Sequence, residues 1–238
     1  MKKLWRVIYA AVLSLVILSP ARGAEEGSED KALKEVREVV KKVQARYEQT
    51  KDLQAEFAQT TRIEGFATPI ASSGRVYIKK PGRLRWEYAE PSIEEIYVNH
   101  DDVKMYVPEH KQVLVGKLTQ MAASKAPLEL LQGAAKLEEQ FDIEPTPGKT
   151  RGAGGLPLVT LRPKRRDSEA VRTLDRIVME VQPKTYFIKS LILHEISGNV
   201  VTFEFNGLKA NAGLKDGLFD FQVPPGVEVV KAPTLSPP

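Results

Sequence analysis

From Leu53 to Val115 apolar residues recur at every second position, and tight-turn residues break the pattern every few positions. Leu53, Ala55 and Phe57 alternate with Gln54 and Glu56. Val76 and Ile78 flank Tyr77, and Leu84, Trp86 and Tyr88 alternate with Arg83, Arg85 and Glu87. Ile96 and Val98, then Val103, Met105 and Val107, then Val113 and Val115 continue the series. A period of two belongs to a strand with one buried face, because successive side chains point to opposite sides of a sheet. Lys80-Pro81-Gly82, Glu90-Pro91-Ser92, Asn99-His100-Asp101-Asp102 and Pro108-Glu109-His110-Lys111 supply turns between the runs. Short strands joined by tight turns form an antiparallel meander.

The pattern resumes at Phe141–Pro145, Leu158–Arg162, Leu174–Val181, Phe187–Ile196 and Val200–Asn206, with Ser197-Gly198-Asn199 as a hairpin turn. Thr146 to Gly155, rich in Gly and Pro, reads as a long flexible loop. Val227, Val229 and Val230 form a candidate final strand. The total is about eleven strands, and an antiparallel sheet of that length must curl.

Two helical elements accompany the strands. From Lys31 to Gln49 apolar residues fall at Leu33, Val36, Val40, Val43 and Tyr47, a stripe at helical spacing, with Ser28 or Asp30 as a cap. Between Thr119 and Gly133, Pro127 suits a first helical turn and Gly133 a helix end. Leu128, Leu130 and Leu131 give that short helix an apolar face, and Ala134–Gln140 is a second candidate. The fold expected is mainly β with an α lid: an incomplete, half-open antiparallel β-barrel covered by short helices.

The N-terminus has a different character. Lys2, Lys3 and Arg6 precede an apolar run from Val7 to Leu18, which Ser19-Pro20 ends before small residues at Ala21 and Ala24. This is the pattern of a secretory signal peptide over residues 1–23, and the run is short for a bilayer-spanning helix. The expected organisation is a removable leader, one domain over residues 24–231 and a disordered Pro-rich tail over 232–238. The formal net charge of +4 comes from 35 basic and 31 acidic residues. Lys2, Lys3, Arg6 and Arg22 lie in the leader, so the exported chain is formally neutral. A nucleic-acid partner therefore loses its electrostatic support. With no cysteine, disulfides, thiolate metal sites and lipid attachment through cysteine are excluded.

Catalytic constellations are absent from the sequence. His100, His110 and His194 are scattered without metal-ligand spacing, and there is neither a nucleophile elbow nor a phosphate-binding loop. The expectation is a binding protein rather than an enzyme, without metal or cofactor, acting as a monomer on an apolar ligand.

Several segments carry a family resemblance. Leu53-Gln54-Ala55-Glu56-Phe57-Ala58-Gln59-Thr60, the run from Gly74 to Tyr88 with its Lys80-Pro81-Gly82 turn, and Pro127-Leu128-Glu129-Leu130-Leu131 stand in order. Asn211 and the closing Phe219-Asp220-Phe221-Gln222-Val223-Pro224-Pro225-Gly226-Val227-Glu228-Val229 complete the set. The combination resembles the periplasmic outer-membrane lipoprotein carrier family, LolA. The resemblance implies a carrier in the periplasm. It would accept acylated lipoproteins from an inner-membrane ABC-type release complex, shield their acyl chains and deliver them to an outer-membrane acceptor. It implies an apolar cavity lined by Phe57, Leu84, Trp86, Ile96, Val98 and Met105, under a lid carrying Leu33, Val36, Val40, Leu128 and Leu131. A packed core would give these residues the same alternation.

Two positions depart from the family pattern. Lys80 stands where the family has an arginine that holds the lid, and Leu84 stands where it often has phenylalanine. Lysine keeps the charge and can reach carbonyl oxygens at a helix end, but lacks the planar fork of arginine. Arg83 is the alternative latch. Two other roles fit the same residues: a shuttle for a free lipid or glycolipid, and an envelope-stress sensor of lipoproteins.

Overall fold

The computed structural model of the protein describes residues 21–117, 131, 137–148, 150–164 and 173–231. The apolar run of the leader, Leu128 with most of the helical insertion, and the tail lie outside the described residues.

Among the described residues, twelve strands form one sheet. Strands β1 (Asp52–Arg62), β2 (Ile70–Lys79), β3 (Arg83–Glu90), β4 (Glu94–Asn99), β5 (Asp102–Val107) and β6 (Gln112–Lys117) run as the expected meander. Strands β7 (Phe141–Pro145), β8 (Val159–Pro163), β9 (Leu174–Val181), β10 (Ile188–Glu195) and β11 (Val200–Ala210) form a second one. The two join because β11 pairs with β1, with Phe57 opposite Phe205 and Gln59 opposite Phe203. The spatial order is β12-β6-β5-β4-β3-β2-β1-β11-β10-β9-β8-β7. The sheet is open and curled, a half-barrel.

Strand β12 (Glu228–Lys231) makes the count twelve rather than eleven and corrects the uniformly antiparallel expectation, since it lies parallel to β6. The long connection after β11 is the reason. It crosses the outer face of β3 to β5, where Phe221 packs on Tyr97 and Tyr106 at ring distances of 4.9 and 5.4 Å. The chain thus reaches the β6 edge after a long crossing, not through a tight hairpin, so antiparallel pairing is not imposed. Along this path Lys79 and Arg83 hold Asp216 at 2.6 and 3.3 Å.

Helix α1 runs from Ala21 to Glu48, ten residues earlier than the apolar stripe indicates. Periodicity reports only the packed portion of a helix, and from residue 29 onward packing begins near Leu33. Val36, Val39, Val40, Val43 and Tyr47 are buried on the inner face of the sheet, within one continuous core. The short helix α2 (Leu137–Gln140) contributes buried Leu137. The described part of the Thr146–Gly155 loop makes backbone hydrogen bonds with the residues that follow it. It folds back on itself through Gly152 N–H to the Leu156 carbonyl (3.0 Å) and Leu158 N–H to the Thr150 carbonyl (2.9 Å).

Candidate functional site

The inner face is built from rows of side chains that cross the strands. One row runs Val103, Val98, Leu84, Ile78, Leu53; the next runs Met105, Ile96, Trp86, Val76, Ala55. All are buried except Met105, which is half-buried against the core. Five of the six residues expected around a cavity are therefore adjacent in two rows. A third row supplies the sixth: Tyr88, Gly74, Phe57, Phe205.

Gly74 makes this third row possible. A Cβ there would stand 1.7 Å from the Glu87 carbonyl oxygen and 3.0 Å from the Phe57 ring. Its absence lets the Phe57 ring settle over the backbone, 4.5 Å from Trp86 and 5.2 Å from Tyr88. Phe203 closes on Trp86 at 5.6 Å edge to face. These separations are those of packed aromatic pairs. Residues expected around a cavity, with Phe203, Phe205 and Tyr88, thus form one inward apolar cluster on the described part of the sheet.

Phe203 and Phe205 were missed as site residues, although their spacing of two along β11 was a readable signal. Polarity rises along the inner face beyond the rings. The Tyr88 hydroxyl donates to Gln59 Oε1 at 2.8 Å, and Gln59 Nε2 donates to Thr61 Oγ1 at 3.1 Å. Burial pushes the Tyr88 phenol up to about 12, helped by the Glu94 carboxylate.

Polar contacts hold α1 over this interior. Lys80 donates from Nζ to the Tyr47 carbonyl in the last turn of the helix, where a cation also complements the helix dipole. Burial holds its ammonium below the usual lysine range, against an opposing pull from the Glu48 carboxylate. Arg46 Nε donates to the Thr185 carbonyl at 2.8 Å with its guanidinium over Phe187, and the Ile188 N–H donates to the Tyr47 hydroxyl at 3.3 Å. Lys42 donates to the Tyr186 hydroxyl at 3.2 Å, and Arg151 pairs with Glu35 at 2.8 Å. Arg83 does not share the helix contact: its partner is Asp216 on the outer face, because alternation along β3 turns it away from Leu84 and Trp86. Leu33 packs partly on the core, and Leu131 is buried. Leu128 lies outside the described residues.

These features define a class: a lidded β half-barrel whose main chemical feature is an apolar aromatic interior. Known proteins give that class a family. The family profile described as "Outer membrane lipoprotein carrier protein LolA" matches residues 48–222. The chain belongs to the LolA family. It is 30% identical over 183 residues to the outer-membrane lipoprotein carrier protein of Nitrosospira multiformis, covering 77% of this chain and 84% of that one. It is 25% identical to its Pseudomonas putida (strain W619) counterpart over 227 residues, 95% of this chain and 98% of the relative. An uncharacterized conserved protein from Thermus thermophilus shares the fold with a TM-score of 0.53 at 14% identity, covering 82% of this chain and 98% of the other.

Proposed function

We propose that this protein is a non-enzymatic periplasmic carrier that binds the acyl chains of lipoproteins and moves them between membranes. The observation that carries the reading is the inward aromatic cluster of Phe57, Trp86, Phe203 and Phe205 in a half-barrel whose N-terminal helix is held through discrete polar contacts. Ligand entry requires α1 to lift. Lys80 is the latch at its C-terminal end, and Phe57, Leu84, Trp86, Ile96, Val98 and Met105 receive the chains.

Magnitudes favour a lid over an open cavity. Burying a CH₂ is worth about 0.8 kcal/mol, so a sixteen-carbon chain gains roughly 12 kcal/mol gross. A permanently open pocket of matching shape would hold its cargo too tightly to release it. Spending part of that energy on displacing α1 lowers the net affinity and lets cargo pass to a stronger acceptor. In this reading residues 1–23 export the chain, an inner-membrane ABC-type complex supplies the cargo, and an outer-membrane acceptor receives it.

Native mass spectrometry of the protein isolated from periplasm tests the reading. Complexes carrying acylated protein are expected. Free lipid or glycolipid as the sole ligand overturns the lipoprotein assignment, and uniformly empty protein overturns the carrier reading.

A further inference from the structure

Among the described residues of the inner face, the Trp86 indole N–H has no partner in hydrogen-bond geometry. Trp86 is 2% exposed, and its indole N–H is buried among rings, with the Tyr88 hydroxyl oxygen nearby but outside hydrogen-bond geometry. Such a group forfeits its hydrogen bond to water on folding, a cost that native cores seldom leave uncompensated. Its surroundings are graded. Phe57, Phe203 and Phe205 lie on the apolar side. Tyr88, 6.3 Å away between ring centres, begins the polar shelf of Tyr88, Gln59 and Thr61. The Tyr88 hydroxyl spends its proton on Gln59, and the indole contributes least to the state of that phenol. Trp86 therefore sits at the boundary between an apolar floor and a polar shelf, with a donor unused in the closed form.

A ligand that matches this gradient has a long apolar chain attached to a carbonyl. We infer that Trp86 Nε1 donates to the ester carbonyl that links an acyl chain to its headgroup, making Trp86 a specificity residue for acyl esters over plain alkyl chains. The inference rests on the carrier reading and adds a chemical class to it. The chain supplies most of the affinity by burial, which cannot distinguish an ester from an ether of equal length. The indole N–H supplies the discrimination, because the ether lacks the carbonyl oxygen and offers only a weaker acceptor in a different position.

Two probes test this: a cysteinyl peptide bearing a dipalmitoyl-ester glyceryl group, and its dihexadecyl ether analogue. With the full chain the ester is expected to bind roughly tenfold tighter than the ether, the ratio for one desolvated hydrogen bond. Trp86→Phe is expected to lose the preference, binding ester and ether alike whatever its overall affinity. In the unsubstituted protein labelled with ¹⁵N-indole, ester binding shifts the Trp86 Hε1 resonance downfield and ether binding does not. This second readout holds even where Trp86→Phe folds poorly. Trp5 gives the chain's only other indole signal. Equal binding of both probes, a preference that survives in Trp86→Phe, or an unmoved indole resonance overturns the inference and leaves the carrier reading standing. If neither probe binds, the carrier reading falls and the inference with it.

Discussion

Replacing Lys80 by leucine isolates the latch. The substitution removes one charge-assisted hydrogen bond, from Nζ to the Tyr47 carbonyl. Such bonds are worth about 1.5–3 kcal/mol when buried, but the Lys80 side chain is only part-buried, so solvent screening reduces the figure. The carbonyl is not orphaned by the change, since the Thr50 N–H also donates to it at 3.1 Å. A loss of about 1 kcal/mol is expected, which raises the population with the helix end lifted about fivefold. Full detachment of α1 stays rare. Val36, Val39, Val40, Val43 and Tyr47 remain buried, and burying an aliphatic side chain contributes about 1.5–3 kcal/mol. Arg46 and the Tyr47 hydroxyl also keep their partners. Hydrogen exchange of the amides of residues 43–49 is the assay: Lys80→Leu should exchange about fivefold faster there, with β1 and β11 unchanged. Lys80→Arg should exchange like the parent, because arginine retains a donor and a charge. Equal rates in Lys80→Leu and parent, or acceleration spread evenly over the sheet, would refute the latch argument.

Gly74→Ala should destabilise the protein by about 2–3 kcal/mol, the upper part of the range for forced overpacking, because its Cβ would meet the Glu87 carbonyl at 1.7 Å. Thermal unfolding should show a fall of roughly 5–10 °C, and an unchanged midpoint would contradict the close approach. Asp216 governs the acid sensitivity of the outer-face crossing. Its hydrogen bond to Lys79, and then the charges of Lys79 and Arg83, hold its carboxyl below the usual range. With the folded value below the unfolded one, this stabilisation is complete above about pH 4 and disappears as pH falls through the folded value. Protection factors over residues 212–220, corrected for the intrinsic pH dependence of exchange, should therefore fall in acid in the parent and not in Asp216→Asn. An identical acid response in both would remove Asp216 from the account.

Local pattern carried the elements of this protein. Alternation put Leu84, Trp86, Ile96, Val98 and Met105 on one face of a meander, and hairpin turns then left little freedom of register. Helical spacing identified the face of α1 that is buried, and Lys80 stood out only through the family resemblance of its Lys80-Pro81-Gly82 turn. Tertiary structure alone decided the rest. The pairing of β1 with β11 joins residues about 150 positions apart in the chain, and nothing in a local window encodes such a partner. The same holds for Arg46 with Thr185, for Lys42 with Tyr186 and for the crossing that lays β12 parallel to β6. Nor could periodicity tell a filled interior from an open one. Both require the same inward apolar residues, and the contact of Trp86 with Phe203 exists only because strands distant in the chain are paired. Period fixes which way a side chain points, whereas what it meets depends on strands brought together from distant parts of the chain.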